Sequence, residues 1–109
     1  MSDATHDAKY LCEPQQRLMR MLLALAGHEL EGLAPGDIAK QCGHSPSQVT
    51  RDLANARIFG WAEQIQTTSR WRLAPQFGQT GLRILTAFER AESRLAEIKN
   101  RFTRNVNDV

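Results

Sequence analysis

Between Ser45 and Arg57 the chain gathers side chains of one chemical kind: Ser45, Ser47, Gln48, Thr50, Arg51, Asn55 and Arg57. They offer hydrogen-bond donors and acceptors on stems of modest length, with no catalytic base beside a nucleophile. That mix suits the base edges of a duplex major groove, where arginine matches guanine and glutamine matches adenine. Helical spacing would put them on one side. Val49, Leu53 and Ala56 recur as a narrow apolar face and leave the polar residues opposite. An ordinary amphipathic helix with a solvated polar side has the same pattern, so the neighbouring segments must decide.

The signals for a helix here come in order. Ser45 suits the N-cap. Pro46 falls at the first helical position, where a missing N–H costs nothing. Gln48 lies three residues after Ser45, as a capping box requires. Gly60 is the expected stop. Just upstream, Pro35 opens a short helix through about Gln41, with Ile38, Ala39 and Cys42 toward the core. Ala34 is a poor cap, and Asp37 compensates in part by placing negative charge in the first turn. Gly43 allows a sharp turn. A short helix, a tight glycine turn and a second helix make a helix-turn-helix unit.

Further out, Pro14 is expected to open the first helix. Leu18, Met21, Leu22 and Leu25 form its stripe, Arg17 and Arg20 are free to face out, and Gly27 ends it. Leu33 and Ala34 suggest a short strand. After Gly60 the period changes to alternation, and Trp61 to Gln66 reads as a strand. Thr67, Thr68 and Ser69 form a polar tip. Arg70 to Leu73 returns, with Trp71 and Leu73 on one side, Arg70 and Arg72 on the other, and Pro75 closing the hairpin. Such a hairpin is a wing, and Thr68, Arg70 and Arg72 are its expected backbone contacts.

The last third predicts one long helix from about Gln79 to Phe102. Ile84, Phe88, Ala91, Leu95, Ile98 and Phe102 are spaced four, three, four, three, four. This is a coiled-coil seam over nearly three heptads and points to a homodimer. The alternative is that the helix folds back on its own domain. Leu82 and Leu85 add a second apolar patch suited to packing on that domain. A parallel pair would bring Arg94 near Lys99 of the partner, so the charges leave strand direction open.

Composition sets the frame. The 109 residues allow one core, and 41% hydrophobic with 24% charged residues describes a globular chain. A net charge of +2 is too small to argue for a polyanion by itself, but residues 45–72 hold Arg51, Arg57, Arg70 and Arg72 against Asp52 and Glu63. The apolar run from Met21 to Ala26 is too short to span a bilayer, and the acidic N-terminus lacks a signal-peptide core; a cytoplasmic protein is expected. Cys12 and Cys42 do not suggest a disulfide framework. His6, His28 and His44 have no helical-spaced metal partners, and Cys12, His28, Cys42 and His44 fit no zinc spacing. His44 is expected at the surface or facing phosphate. No phosphate loop or nucleophile motif occurs, so no enzyme, no metal and no cofactor is expected.

Residues from about Arg17 to Phe77 resemble the N-terminal DNA-binding domain of the IclR family of bacterial transcriptional regulators. The resemblance is carried by Gly32-Leu33-Ala34, Asp37-Ile38-Ala39, Gly43, Ser47, Val49, Arg51, Leu53, Gly60 and Trp71-Arg72-Leu73-Ala74-Pro75. MarR-like and other winged helices share much of this pattern. The resemblance implies a winged helix-turn-helix that reads double-stranded DNA as a dimer, with Ser47, Gln48, Thr50 and Arg51 facing the groove. It stops short of the family's ligand-sensing domain, so small-molecule sensing is not carried over. Asp52 stands where the family commonly has an apolar residue, and Ala34 where it has a capping threonine.

The expected organisation is a mobile tail over 1–13, a winged domain over 14–77, a dimerisation helix over 78–102 and a frayed tail over 103–109. The fold class is mainly α with a small β-hairpin. The functional expectation is a sequence-specific repressor, bacterial or phage-encoded and nucleoid-associated. Its rival is a winged-helix adaptor that binds protein rather than DNA.

Overall fold

The computed structural model of the chain describes residues 4–107. Its elements run α1 (Ala4–Ala8), α2 (Glu13–Leu25), α3 (Pro35–Cys42), α4 (Pro46–Phe59), β1 (Ala62–Gln64), β2 (Trp71–Leu73) and α5 (Pro75–Asn107). The chain divides into two compact units, one running to Phe77 and the other beginning at Gly78.

In the first unit α2, α3 and α4 surround one small core. Met21, Leu25, Ile38, Val49 and Leu53 are its largest fully buried side chains, joined by Leu22, Leu33, Ala56, Ala62 and Leu73. Each helix contributes at helical spacing, which is why the apolar stripes were readable in sequence. β1 and β2 pair antiparallel, with Ala62 opposite Leu73, Glu63 opposite Arg72 and Gln64 opposite Trp71. A third segment joins at one residue: Leu33 exchanges both backbone hydrogen bonds with Trp71, at 2.8 Å each. The residue before it must be glycine. Gly32 has φ +74°, and a Cβ there would lie 2.8 Å from the Trp71 carbonyl oxygen. At the wing's base Phe59, Trp61 and Phe77 stack edge to face, with ring centroids 5.3 and 4.8 Å apart.

Several local expectations are corrected. The stretch read as an aperiodic tail contains α1, and α2 begins at Glu13, one residue before Pro14. Residues 1–3 of that tail lie outside the described residues. α2 ends at Leu25 rather than Gly27, because Ala26 is already extended at ψ 132°. The Leu33-Ala34 strand is reduced to the single bridge, and both hairpin strands are three residues long. Pro75 does not merely close the hairpin. It is the first residue of α5, which runs through Gly78 and Gly81. The helix also continues past Phe102 to Asn107, through much of the stretch expected to fray; residues 108–109 lie outside the described residues.

The second unit is the body of α5. At 1.5 Å per residue the whole 33-residue helix is about 50 Å long.

Candidate nucleic-acid interface

The helix-turn-helix forms as its local signals require. Gly43 takes the left-handed conformation at φ 69°, and the His44 N–H donates to the Ala39 carbonyl at 3.0 Å. Ser45 is extended and caps α4. Its Oγ accepts from the Gln48 N–H at 3.2 Å, and its own N–H donates to Gln48 Oε1 at 3.0 Å. That is the full capping box. Gly60 ends the helix in the left-handed conformation.

α4 turns Val49, Asp52, Leu53 and Ala56 inward and leaves Ser47, Thr50, Arg51, Asn55 and Arg57 exposed. The exposed residues are unequal in what they have to give. Arg51, Asn55 and Arg57 have no hydrogen-bond or ionic partner among the described residues. Thr50 Oγ1 donates back to the Pro46 carbonyl at 3.0 Å. Ser45 and Ser47 hydroxyls lie 3.3 Å apart. Gln48 already spends one acceptor on the cap.

The wing arginines are more committed than the sequence suggested. Arg70 Nε and Nη2 donate to the Gly32 carbonyl at 3.2 and 2.9 Å, and Nε also reaches the Glu31 carbonyl. Arg72 Nε donates to Glu63 Oε1 at 3.0 Å, across the hairpin from its register partner. Its Nη1 reaches the Glu29 carbonyl at 3.4 Å. Thr68 Oγ1 accepts from the Arg70 N–H. The wing therefore uses its polar side chains largely to hold its own shape and the loop before Leu33.

Of the two arginines on α2 expected to face out, Arg20 stays exposed and Arg17 does otherwise. Arg17 forms a two-pronged pair with Asp52, Nε to Oδ2 at 2.7 Å and Nη2 to Oδ1 at 3.0 Å. Only 8% of the Asp52 side chain is exposed. The hydrogen bond to this carboxylate raises the Arg17 pKa further above its ordinary value, against the opposing pull of desolvation. Arg20 pairs with Glu13 at 3.1 Å. The signal for the first pair was present: Asp52 follows Val49 by three residues and precedes Ala56 by four, so it lies within the apolar stripe. An acid there needs a buried cation. Arg17, with Gln15, thereby lines the same α2–α4 groove as Arg51 and Asn55, a cleft of about 530 Å³. The sequence analysis placed its candidate DNA contacts on α4 and the wing and none on α2.

His44, expected at the surface or facing phosphate, is half-buried. Both ring nitrogens are covered and have no hydrogen-bond partner among the described residues. Burial pushes the Cys42 thiol pKa up, with Arg20 opposing. Among the described residues no cluster of three His, Cys, Asp or Glu side chains could hold a metal. No described helix is long and apolar enough to cross a membrane.

On α5 the six seam positions are all exposed, with Ile84 at 58%, Phe88 at 64% and Leu95 at 60%. Leu82 and Leu85 are exposed as well.

Three helices, a glycine turn into a capped second helix, and a two-stranded hairpin followed by a long helix define a winged helix-turn-helix fold. The crystal structure of Pseudomonas aeruginosa HmgR is similar to this chain, with a TM-score of 0.61 and 25% sequence identity. The match covers 69% of this chain and 30% of HmgR, so the chain spans under a third of that protein's length. The likeness supports an IclR-like regulator fold. No family model matches the chain, and no curated protein matches it.

Proposed function

We propose that the chain is a sequence-specific double-stranded DNA-binding regulator that acts as a homodimer and represses by occupying its operator. The observation that carries this reading is the outer face of α4. Arg51 and Asn55 stand exposed there without a partner among the described residues, near Ser47 and Gln48, on a helix whose start is fixed by a full capping box. A donor-rich row on a rigid helix after a glycine turn is what a major groove accepts. Arg51 is the leading base contact, with Ser47, Gln48, Thr50 and Asn55 beside it. Arg57 and Ser45 lie at the phosphate margin. Thr68, Arg70 and Arg72 remain backbone contacts only through donors not bonded within the wing. The exposed seam Ile84, Phe88, Ala91, Leu95, Ile98 and Phe102 supports a second copy, since a stripe of large apolar side chains is seldom left to water. Two reading helices would then enter successive major grooves.

The test is selection from random duplex with purified protein, run beside light scattering for subunit number. Arg51→Ala should cost about 1–3 kcal/mol of operator binding and relax preference at one base pair. An operator preference unchanged in Arg51→Ala removes it as a base reader.

One observation favours a second reading, a protein-binding adaptor. Arg70 and Arg72 bond to the chain's own backbone and to Glu63, which leaves the wing little free charge for phosphate. Gel shift against random duplex at low and high salt separates the two. DNA binding predicts a steep loss with salt, and an adaptor predicts no shift at either.

A further inference from the structure

Charge is divided unevenly along the chain. Through Phe77 the sequence has eight Lys or Arg and eight Asp or Glu; from Gly78 onward it has six and four. The entire positive excess lies beyond the winged unit. On α5 it is also sorted by face. Successive helical residues advance about 100°, which puts Arg83, Arg90, Arg94 and Arg101 within an arc of about 40° along one edge of the apolar seam. Glu97 and Arg104 fall together at the outer border of that arc, and Glu89 and Glu92 lie well away from it.

All four arginines are exposed, and none has an ionic or hydrogen-bond partner among the described residues. In the winged unit Arg17, Arg20 and Arg72 each hold a carboxylate, and only Arg51 and Arg57 on α4 share the unpartnered state of the row. Arg90 and Arg94 are four residues apart on one helix, a like-charge spacing that works against the helix itself. The row spans about 27 Å, close to eight base pairs of duplex at about 3.4 Å per step.

We infer that this arginine row is a second binding surface, separate from α4, and that its partner is the phosphate backbone of duplex DNA. Guanidinium groups engage phosphate through paired N–H donors. Sequence-independent affinity comes from counterion release at phosphates met by Lys or Arg, and in the winged unit most arginines are already bonded within the chain. The row supplies what that unit lacks. It has no aromatic anchor of its own of the kind that holds protein partners. The inference extends the DNA-binding reading but does not depend on α4 being the sequence reader.

The experiment uses the full chain and a random-sequence duplex, with affinity measured by anisotropy over a range of salt. Each neutralised phosphate contributes about 0.9 to the slope of log affinity against log salt. The variant R83Q/R90Q/R94Q/R101Q should lose about two to four units of slope and at least tenfold in affinity at low salt, with helix content unchanged by circular dichroism. The matching four Arg→Lys variant should keep most of the slope, which a merely structural role of the row would not predict. A slope the same as wild type in the glutamine variant overturns the inference. So does retention of the wild-type chain on polyglutamate without retention on duplex, which hands the row to an acidic protein. The two readings fail differently. Salt-dependent binding that needs the row but shows no base preference sinks the α4 reading and keeps the row. Base preference with a slope insensitive to the row does the reverse.

Discussion

The winged unit and the body of α5 use the same residue types to opposite ends. In the first, large apolar side chains such as Met21, Ile38 and Leu53 are almost fully buried, and every arginine but Arg51 and Arg57 closes onto Asp52, Glu13, Glu63 or backbone carbonyls. In the second, Phe88, Leu95 and Phe102 are more than half exposed and the arginines have no partner among the described residues. A unit whose valences are met internally can hold its shape alone. A helix that leaves both apolar surface and charge unmet is where the proposed partners would bind.

The sharpest way to break this contrast is to shorten one leucine on each side of it. Leu53→Ala should cost about 2–5 kcal/mol in urea unfolding, since Leu53 is 2% exposed and its loss leaves a cavity. Leu95→Ala should leave the winged unit's unfolding unchanged and lower the mean subunit number at a given protein concentration in light scattering, moving the monomer–dimer transition to higher concentration. Equal effects of the two on unfolding would remove the distinction. Gly32→Ala comes next, at about 1–3 kcal/mol, because it joins a left-handed φ to a clash with the Trp71 carbonyl. A variant as stable as wild type would mean that the Leu33 bridge yields easily. Arg17→Ala should lower the urea midpoint more than Asp52→Ala does. The first strands a buried carboxylate, whereas the second leaves a cation that can swing into water. The reverse order would show that the pair is held mainly by its arginine. The smallest effect is Ser45→Ala, about 1 kcal/mol through the lost cap, read as a lower thermal midpoint.

What could be read in the sequence was what is encoded locally. Ser45, Pro46, Gln48 and Gly60 mark α4 within a few residues of its ends, and the structure starts and stops the helix there. Gly43 announced the turn in the same way. What could not be read was set by distance. Arg17 meets Asp52 across 35 positions, and Arg70 meets the Gly32 carbonyl across 38. Both arginines read as solvent-facing because no local rule says otherwise. The start of α5 was misjudged for a different reason. Gly78 and Gly81 lower helix propensity, and Pro75 looks like a terminator, yet proline is also at home in a helix's first turn. Of the candidate interface, the identity of the α4 face was legible. The contribution of α2 to the same groove was not, although Asp52 in an apolar stripe was a clue.

The hydrogen bond from the Ser45 N–H to Gln48 Oε1 has one more consequence. It fixes the rotamer of a side chain that stands among the expected readers, so the entropy of ordering that amide is spent when the protein folds and not when it meets its ligand. Losing this clasp would leave Gln48 swinging freely, and under the proposed function its contact with a base would form more slowly and break more easily.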